Sequence, residues 1–148
     1  MTNVVDEHQP VTGADRGREQ AVDDAIAAAE FRASLRRFLR SSERVARHAG
    51  LTPQRYQLLL MIKGAPDGSE RSTITELSER LQLAQSTVTE LVQRAVDIGL
   101  IERERSNADA RVAHLRLTPE GERRLTLSFT ELAEERHNLR DAINLLGA

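Results

Sequence analysis

The chain has 148 residues, is 39% hydrophobic but only 3% aromatic, and carries a formal net charge of -2, which fits one domain with extensions around an aliphatic core. The absence of cysteine excludes disulfides, thiolate metal sites and thiol redox switches. No apolar run reaches the roughly 20 residues that cross a bilayer, and Asp6 and Glu7 stand where a secretory signal would turn basic and then apolar, so a soluble cytoplasmic protein without a membrane partner is expected.

Taken in chain order, residues 1–20 mix Asn, Asp, Gly, Pro and Thr without apolar periodicity and read as a flexible tail. From 22 to 49 there is no Gly or Pro, and Phe31, Leu35, Phe38, Leu39, Val45 and Ala46 recur at helical spacing, which predicts a long amphipathic helix ended by Gly50. Thr52-Pro53 reads as an N-cap and first helical residue, opening a second helix through Leu58, Leu59, Leu60 and Ile62. Thr73 with Glu76 three positions on has the capping-box arrangement and starts a short helix to Leu81. After the turn Gln82-Leu83-Ala84, a helix from Gln85 to Ile98 lines up Val88, Leu91, Val92, Ala95 and Ile98 on one stripe, with Gly99 as its stop. Two helices joined so tightly point to a helix-turn-helix.

The face opposite that stripe carries Ser86, Thr89, Glu90, Gln93 and Asp97, flanked by Thr87 and Arg94. A helix in the major groove needs such groups: hydroxyls for phosphates or base edges, Gln for adenine, Glu for cytosine N4. Any solvated helix face is polar, so the pattern suits this use without being unique to it. Beyond it, 100–105 and 112–117 alternate as two strands of a hairpin, and between Arg103 and Arg116 four arginines stand against only Glu104 and Asp109. Such a hairpin can straddle a DNA backbone with Arg103 and Arg105, its tip placing Arg111 in the minor groove while Asp109 orients that guanidinium.

The run from Leu100 through Asp109-Ala110-Arg111 to Leu115-Arg116-Leu117-Thr118-Pro119-Glu120-Gly121 resembles the MarR family of bacterial transcription regulators. The family's wing pattern is Asp-x-Arg followed by Leu-x-Leu-Thr-x-x-Gly. Thr75-Glu76-Leu77-Ser78 and Ser86-Thr87-Val88-Thr89 resemble its two motif helices, and the likeness covers about 31–132. It implies a mainly α fold with a small β-hairpin wing, in which a winged helix-turn-helix lobe joins N- and C-terminal dimerisation helices. It also implies an obligate homodimer that binds double-stranded DNA at a palindromic operator, with repression as the expected mode and frequent control by a small organic ligand. Two features depart from the family: Ala110 stands where many members carry a second Arg, and the C-terminal region is short.

In the C-terminal region, Leu125, Phe129, Leu132, Leu139, Ile143 and Leu146 are spaced by fours and threes, with Arg136 at the one missing position, which suits association between two chains. The same stripe could pack on the first helix of its own chain, and both hold if N- and C-terminal helices interlock across a two-fold axis. The expected organisation is a tail (1–20), a dimerisation helix (21–50), a DNA-binding domain (51–118) and C-terminal dimerisation helices (119–148). His8, His48, His114 and His137 share no metal-binding spacing, and Gly-rich phosphate loops are missing, so neither an enzyme nor a cofactor or metal is expected. A winged helix serving as a protein-protein interaction module is the rival, and it would need apolar residues where Ser86, Thr89, Glu90 and Gln93 stand. By the resemblance, an effector would lie between the dimerisation helices and the DNA-binding lobe, and Arg40, Arg47, His48 and Tyr56 are the candidates for holding a small aromatic or phenolic acid.

Overall fold

The computed structural model describes residues 10, 12–105 and 112–147. The first helix, α1 (Gly13–His48), starts well before the expected boundary near residue 20. Local hydrogen bonding accounts for the difference. Thr12 is the N-cap, its hydroxyl oxygen accepting from the Asp15 N–H at 3.3 Å, and Gln20 donates to Asp24 one turn on at 2.9 Å. Residues 12–25 are exposed throughout, so this first part of the helix has no buried face for a periodicity to reveal. At the other end Gly50 adopts φ +75°, and the Leu51 N–H reaches back to the Ala46 carbonyl at 2.8 Å. Val45 and Ala46 enter the core, whereas Leu39 remains exposed.

Helix α2 (Pro53–Lys63) is capped by Thr52 and presents Leu58, Leu59 and Ile62 with no exposure at all. It touches every other helix but α6 to a substantial degree, as well as the hairpin, which makes it the centre of packing. Helix α3 (Ile74–Leu81) adds Leu77, also fully buried. At its start the Thr73 hydroxyl both accepts from the Glu76 N–H and donates to the Glu76 carboxylate. Arg80 donates to the carbonyls of Met61 and Gly64, satisfying acceptors at the end of α2. The following turn is closed by Gln82 at φ 55° and by the Ser78 hydroxyl donating to the Leu83 carbonyl at 2.6 Å.

Helix α4 (Gln85–Asp97) buries Val88, Leu91, Val92 and Ala95 as its spacing predicts. Ile98 departs from the expected stripe and is 48% exposed, because the helix ends before it and Gly99 at φ +77° turns the chain away. Leu100 then takes the core position, fully buried. Strands β1 (Ile101–Arg105) and β2 (Ala113–Leu117) pair antiparallel with Ile101 opposite Leu117, Arg103 opposite Leu115 and Glu104 opposite His114. Ser72 adds a short third edge by exchanging both backbone hydrogen bonds with Leu115. Thus Ile101, Leu115 and Leu117 close the core, while Glu102, Glu104, His114 and Arg116 share the opposite face.

Helix α5 (Pro119–Glu131) begins on the Thr118 cap, whose hydroxyl oxygen accepts from the Gly121 N–H and whose hydroxyl donates to the Gly99 carbonyl at 2.6 Å. Glu120 holds Arg123 and Arg124, and first the Arg123 and then the Arg124 hydrogen bonds lower its carboxyl to about 2. Arg124 also donates to the Gly50 carbonyl, tying α5 to the turn between α1 and α2. Leu132 breaks the chain from helix α6 (Ala133–Leu146), and Arg136 bridges the break, donating to the Phe129 carbonyl and lying 3.6 Å over its ring. Helix α6 runs back along α1.

Burial divides the expected C-terminal stripe. Leu125 and Leu132 are 4% and 0% exposed and belong to the core of their own chain. Phe129, Ile143 and Leu146 are exposed and Leu139 is half-buried, so only this part of the stripe is open to a second chain.

Gly121 explains the last position of the Leu-x-Leu-Thr-x-x-Gly pattern. A Cβ there would lie 2.2 Å from the Leu100 carbonyl oxygen, backbone that the adjoining Thr118 N–H hydrogen bond holds in place. Gly121→Ala is therefore expected to cost about 3 kcal/mol by overpacking, read as a lower midpoint in urea unfolding. A midpoint equal to the parent's would show that α5 can move off Leu100 freely.

Candidate nucleic-acid interface

The geometry of α4 follows from its two faces. Its apolar stripe is anchored in the core, so Ser86, Thr89, Glu90, Gln93, Arg94 and Asp97 are exposed, with Thr87 half-buried. Ala84 at the N-cap has no side chain able to accept a hydrogen bond, so the first N–H groups of α4 carry no side-chain cap. The Thr89 hydroxyl donates to the Gln85 carbonyl at 2.8 Å, which leaves its oxygen facing outward as an acceptor. Gln85 reaches Thr75 at 3.4 Å and so links the beginnings of the two motif helices.

The hairpin places its arginines unequally. Arg103 and Arg105 are exposed on the strand that follows α4. Arg103 is on the same face as Ile101, toward α4, and donates to the Gln93 side-chain oxygen at 2.7 Å. Gln93 in turn donates through its amide nitrogen to Asp97 at 2.8 Å. On the other face, Arg116 pairs with Glu102 at 2.6 Å. Arg71 approaches Glu104 Oε2 at 2.8 Å in poor alignment for a hydrogen bond, and donates instead to Oε1 at 3.2 Å. Arg116 and Arg71 are thus already engaged with carboxylates, so the local positive excess falls to Arg103 and Arg105 among the described residues. Asp109 and Arg111, the expected wing tip, lie outside the described residues.

Sequence reasoning did not foresee the Arg103–Gln93–Asp97 chain. The separation from Gln93 to Asp97 is one helical turn and was visible, but the approach of Arg103 depends on how α4 and β1 meet. The engagement of Arg71, far from the hairpin in sequence, was invisible for the same reason.

The four candidate ligand residues do not converge. Arg40 lines a crevice of about 350 Å³ between α1 and α6, together with Arg37, Phe38, Arg44 and Asn138. Arg47 and His48 sit exposed in the last turn of α1 and do not border it. Tyr56 is buried at 5% exposure, and burial raises its hydroxyl pKa against the lowering effects of the Ser42 hydrogen bond and the Arg136 charge. Single-sequence spacing cannot tell a buried tyrosine from a pocket-lining one.

With this geometry in view, a family model described as the MarR family matches residues 49–112. The matched segment runs from the C-cap of α1 to the residue before β2. The chain is 44% identical over 62 residues to the uncharacterised HTH-type transcriptional regulator YsmB of Bacillus subtilis, an alignment that spans 42% of each protein. Its fold resembles the MarR family transcription regulator SP03579 at a TM-score of 0.66, with 24% identity over 84% of this chain and 79% of that one. It also resembles a mutant Escherichia coli MarR complexed with operator DNA, at a TM-score of 0.60 and 19% identity over 73% and 75% of the two chains. The mainly helical winged helix-turn-helix architecture read from the sequence is the one the chain adopts.

Because Thr89 and Ser86 are exposed, removing either hydroxyl should leave the fold intact. Ser86→Ala and Thr89→Ala are each expected to change urea midpoints by less than about 0.5 kcal/mol equivalent. A larger loss would assign these side chains a structural duty in the turn.

Proposed function

We propose that the chain is a transcription regulator that binds double-stranded DNA as a homodimer at an inverted-repeat operator. The observation that carries this reading is the polar, exposed face of α4, held outward by its buried stripe and flanked by Arg103 and Arg105. Ser86, Thr87 and Thr89 supply hydroxyls near the start of α4, where helix N–H groups favour a phosphate. Glu90, Gln93 and Arg94 supply an acceptor, an amide and a cation further along. The wing approaches the adjacent backbone and minor groove in this reading through Arg105 and through Asp109 and Arg111, which follow it in the sequence, while Arg103 lies against α4. The likeness to a MarR complexed with operator DNA supports it.

Association through α1, α5 and α6 supplies the two-fold symmetry. Exposed apolar residues cluster on these helices: Val22 and Ile26 on α1, Phe129 on α5, and Ile143, Leu145 and Leu146 on α6. A dimer places two α4 helices about one DNA turn apart, about 34 Å, and the separation selects the operator. Occupation of a promoter in this way excludes other proteins, so repression is the proposed mode. A small aromatic acid seated in the cationic crevice beside Arg40 and Phe38 would shift the spacing of the two lobes and release DNA. The protein-binding alternative has only Ile98 as an exposed apolar residue at the end of α4.

The test is selection of bound sequences from a random duplex library at about 0.15 M salt, with the mass in solution measured alongside. Enrichment of an inverted repeat by a dimer is expected, and no enrichment by a folded dimer would contradict the reading. On the selected duplex, Arg105→Ala should weaken binding on every sequence and reduce the salt slope by about 1. Replacing Ile143 and Leu146 together with Asp should yield a folded monomer with much weaker binding, because both side chains are exposed in the single chain. A double variant that stays dimeric would move the interface elsewhere.

A further inference from the structure

Gln93 stands out on the polar face because both ends of its amide are held by groups of opposite kind. Arg103, which can only donate, lies 2.7 Å from Oε1, and the Asp97 carboxylate, an acceptor, lies 2.8 Å from Nε2. Turning the amide over would set its N–H groups against a guanidinium and its oxygen against a carboxylate. The orientation is therefore determined by the neighbours, one from the same helix and one from the wing. Gln93 is nonetheless exposed, and it keeps one lone pair on Oε1 and one hydrogen on Nε2.

We propose that Arg103 and Asp97 are positioning residues that fix the Gln93 amide as an acceptor-donor pair for adenine, so that the wing sets the base preference of α4. This rests on the DNA-binding reading above. In the major groove adenine offers the N6 donor beside the N7 acceptor, matching the remaining lone pair and hydrogen of Gln93. Guanine offers O6 and N7, two acceptors, and would set O6 against the Gln93 oxygen. A free amide can turn over and donate to guanine O6, and so loses part of this selectivity. Arg103, in this account, acts on specificity through Gln93 and does not itself read a base.

The experiment is a binding assay on the selected duplex, with each of the four base pairs placed in turn at the position whose preference disappears in Gln93→Ala. The parent should prefer adenine there by on the order of tenfold to a hundredfold. Arg103→Ala should flatten that same position while leaving preferences elsewhere unchanged, and the Arg103→Ala, Gln93→Ala double variant should flatten it no further than either single one. Arg103→Lys, which keeps a donor, should restore part of the preference. Asp97→Ala supplies an independent variant on α4 itself and should flatten the same position. Equal weakening on all four bases by Arg103→Ala, with a salt slope reduced by about 1, would overturn the proposal and make Arg103 a phosphate contact. Failure of the parent to enrich any sequence would instead overturn the DNA-binding reading, and the proposal with it.

Discussion

Burial of the α4 stripe against α2 is the constraint from which the remaining geometry follows. Leu58, Leu59 and Ile62 on α2 and Val88 and Val92 on α4 are all without exposure, in one continuous cluster with Leu77 of α3. A helix anchored by residues on one side must show its other side to solvent, and here that side is made of hydroxyls, an amide and charges. Rotation of α4 to hide Gln93 would lift Val88 and Val92 out of the core, at roughly 1.5–3 kcal/mol for each side chain exposed. The polar face is thus held out by the core, and the wing then borders it because Gly99 and Leu100 redirect the chain immediately after the helix.

The same core reaches the helices that flank the lobe. Gly121 lets α5 approach the Leu100 carbonyl, and Lys63 joins the end of α2 to Glu122 at 3.0 Å and to Glu70 at 2.7 Å. Leu125 and Leu132 complete the contact from the α5 side. Helix α5, which touches α1, α2 and α6, thus joins the flanking helices to the lobe. The wing has a different attachment: the pairing of Ser72 with Leu115 and of Arg71 with Glu104 holds its base to the segment before α3. Both motif helices and the base of the wing are thus tied to one core.

Much of this organisation was legible in the residues, for reasons particular to each element. Helices α2, α3 and α4 announce themselves through Thr52-Pro53, through Thr73 with Glu76, and through the stripe from Val88 to Ala95, because caps and amphipathic spacing are local properties. The hairpin was readable from alternation and its motif. What escaped was either stabilised without a buried face, as at Gly13 to Gln20, or decided by the meeting of distant segments. Ile98 leaves the stripe because of where the helix ends, and Leu125 and Leu132 part from Phe129, Ile143 and Leu146 because only the first two meet the core cluster of their own chain. Arg103 was read as a DNA contact from its charge, whereas its bond to Gln93 depends on the α4–β1 contact, which no spacing encodes.

The most direct test of the central claim is to map, by backbone and side-chain amide NMR, which residues respond when a selected duplex is added to the intact protein. The account predicts that the largest changes fall on Ser86, Thr87, Thr89, Gln93 and the β1 arginines, with the Gln93 side-chain amide among them, while the core residues of α2 shift little. Changes concentrated on the α1–α6 surface, with the α4 face silent, would contradict the account and place nucleic-acid contact outside the helix-turn-helix.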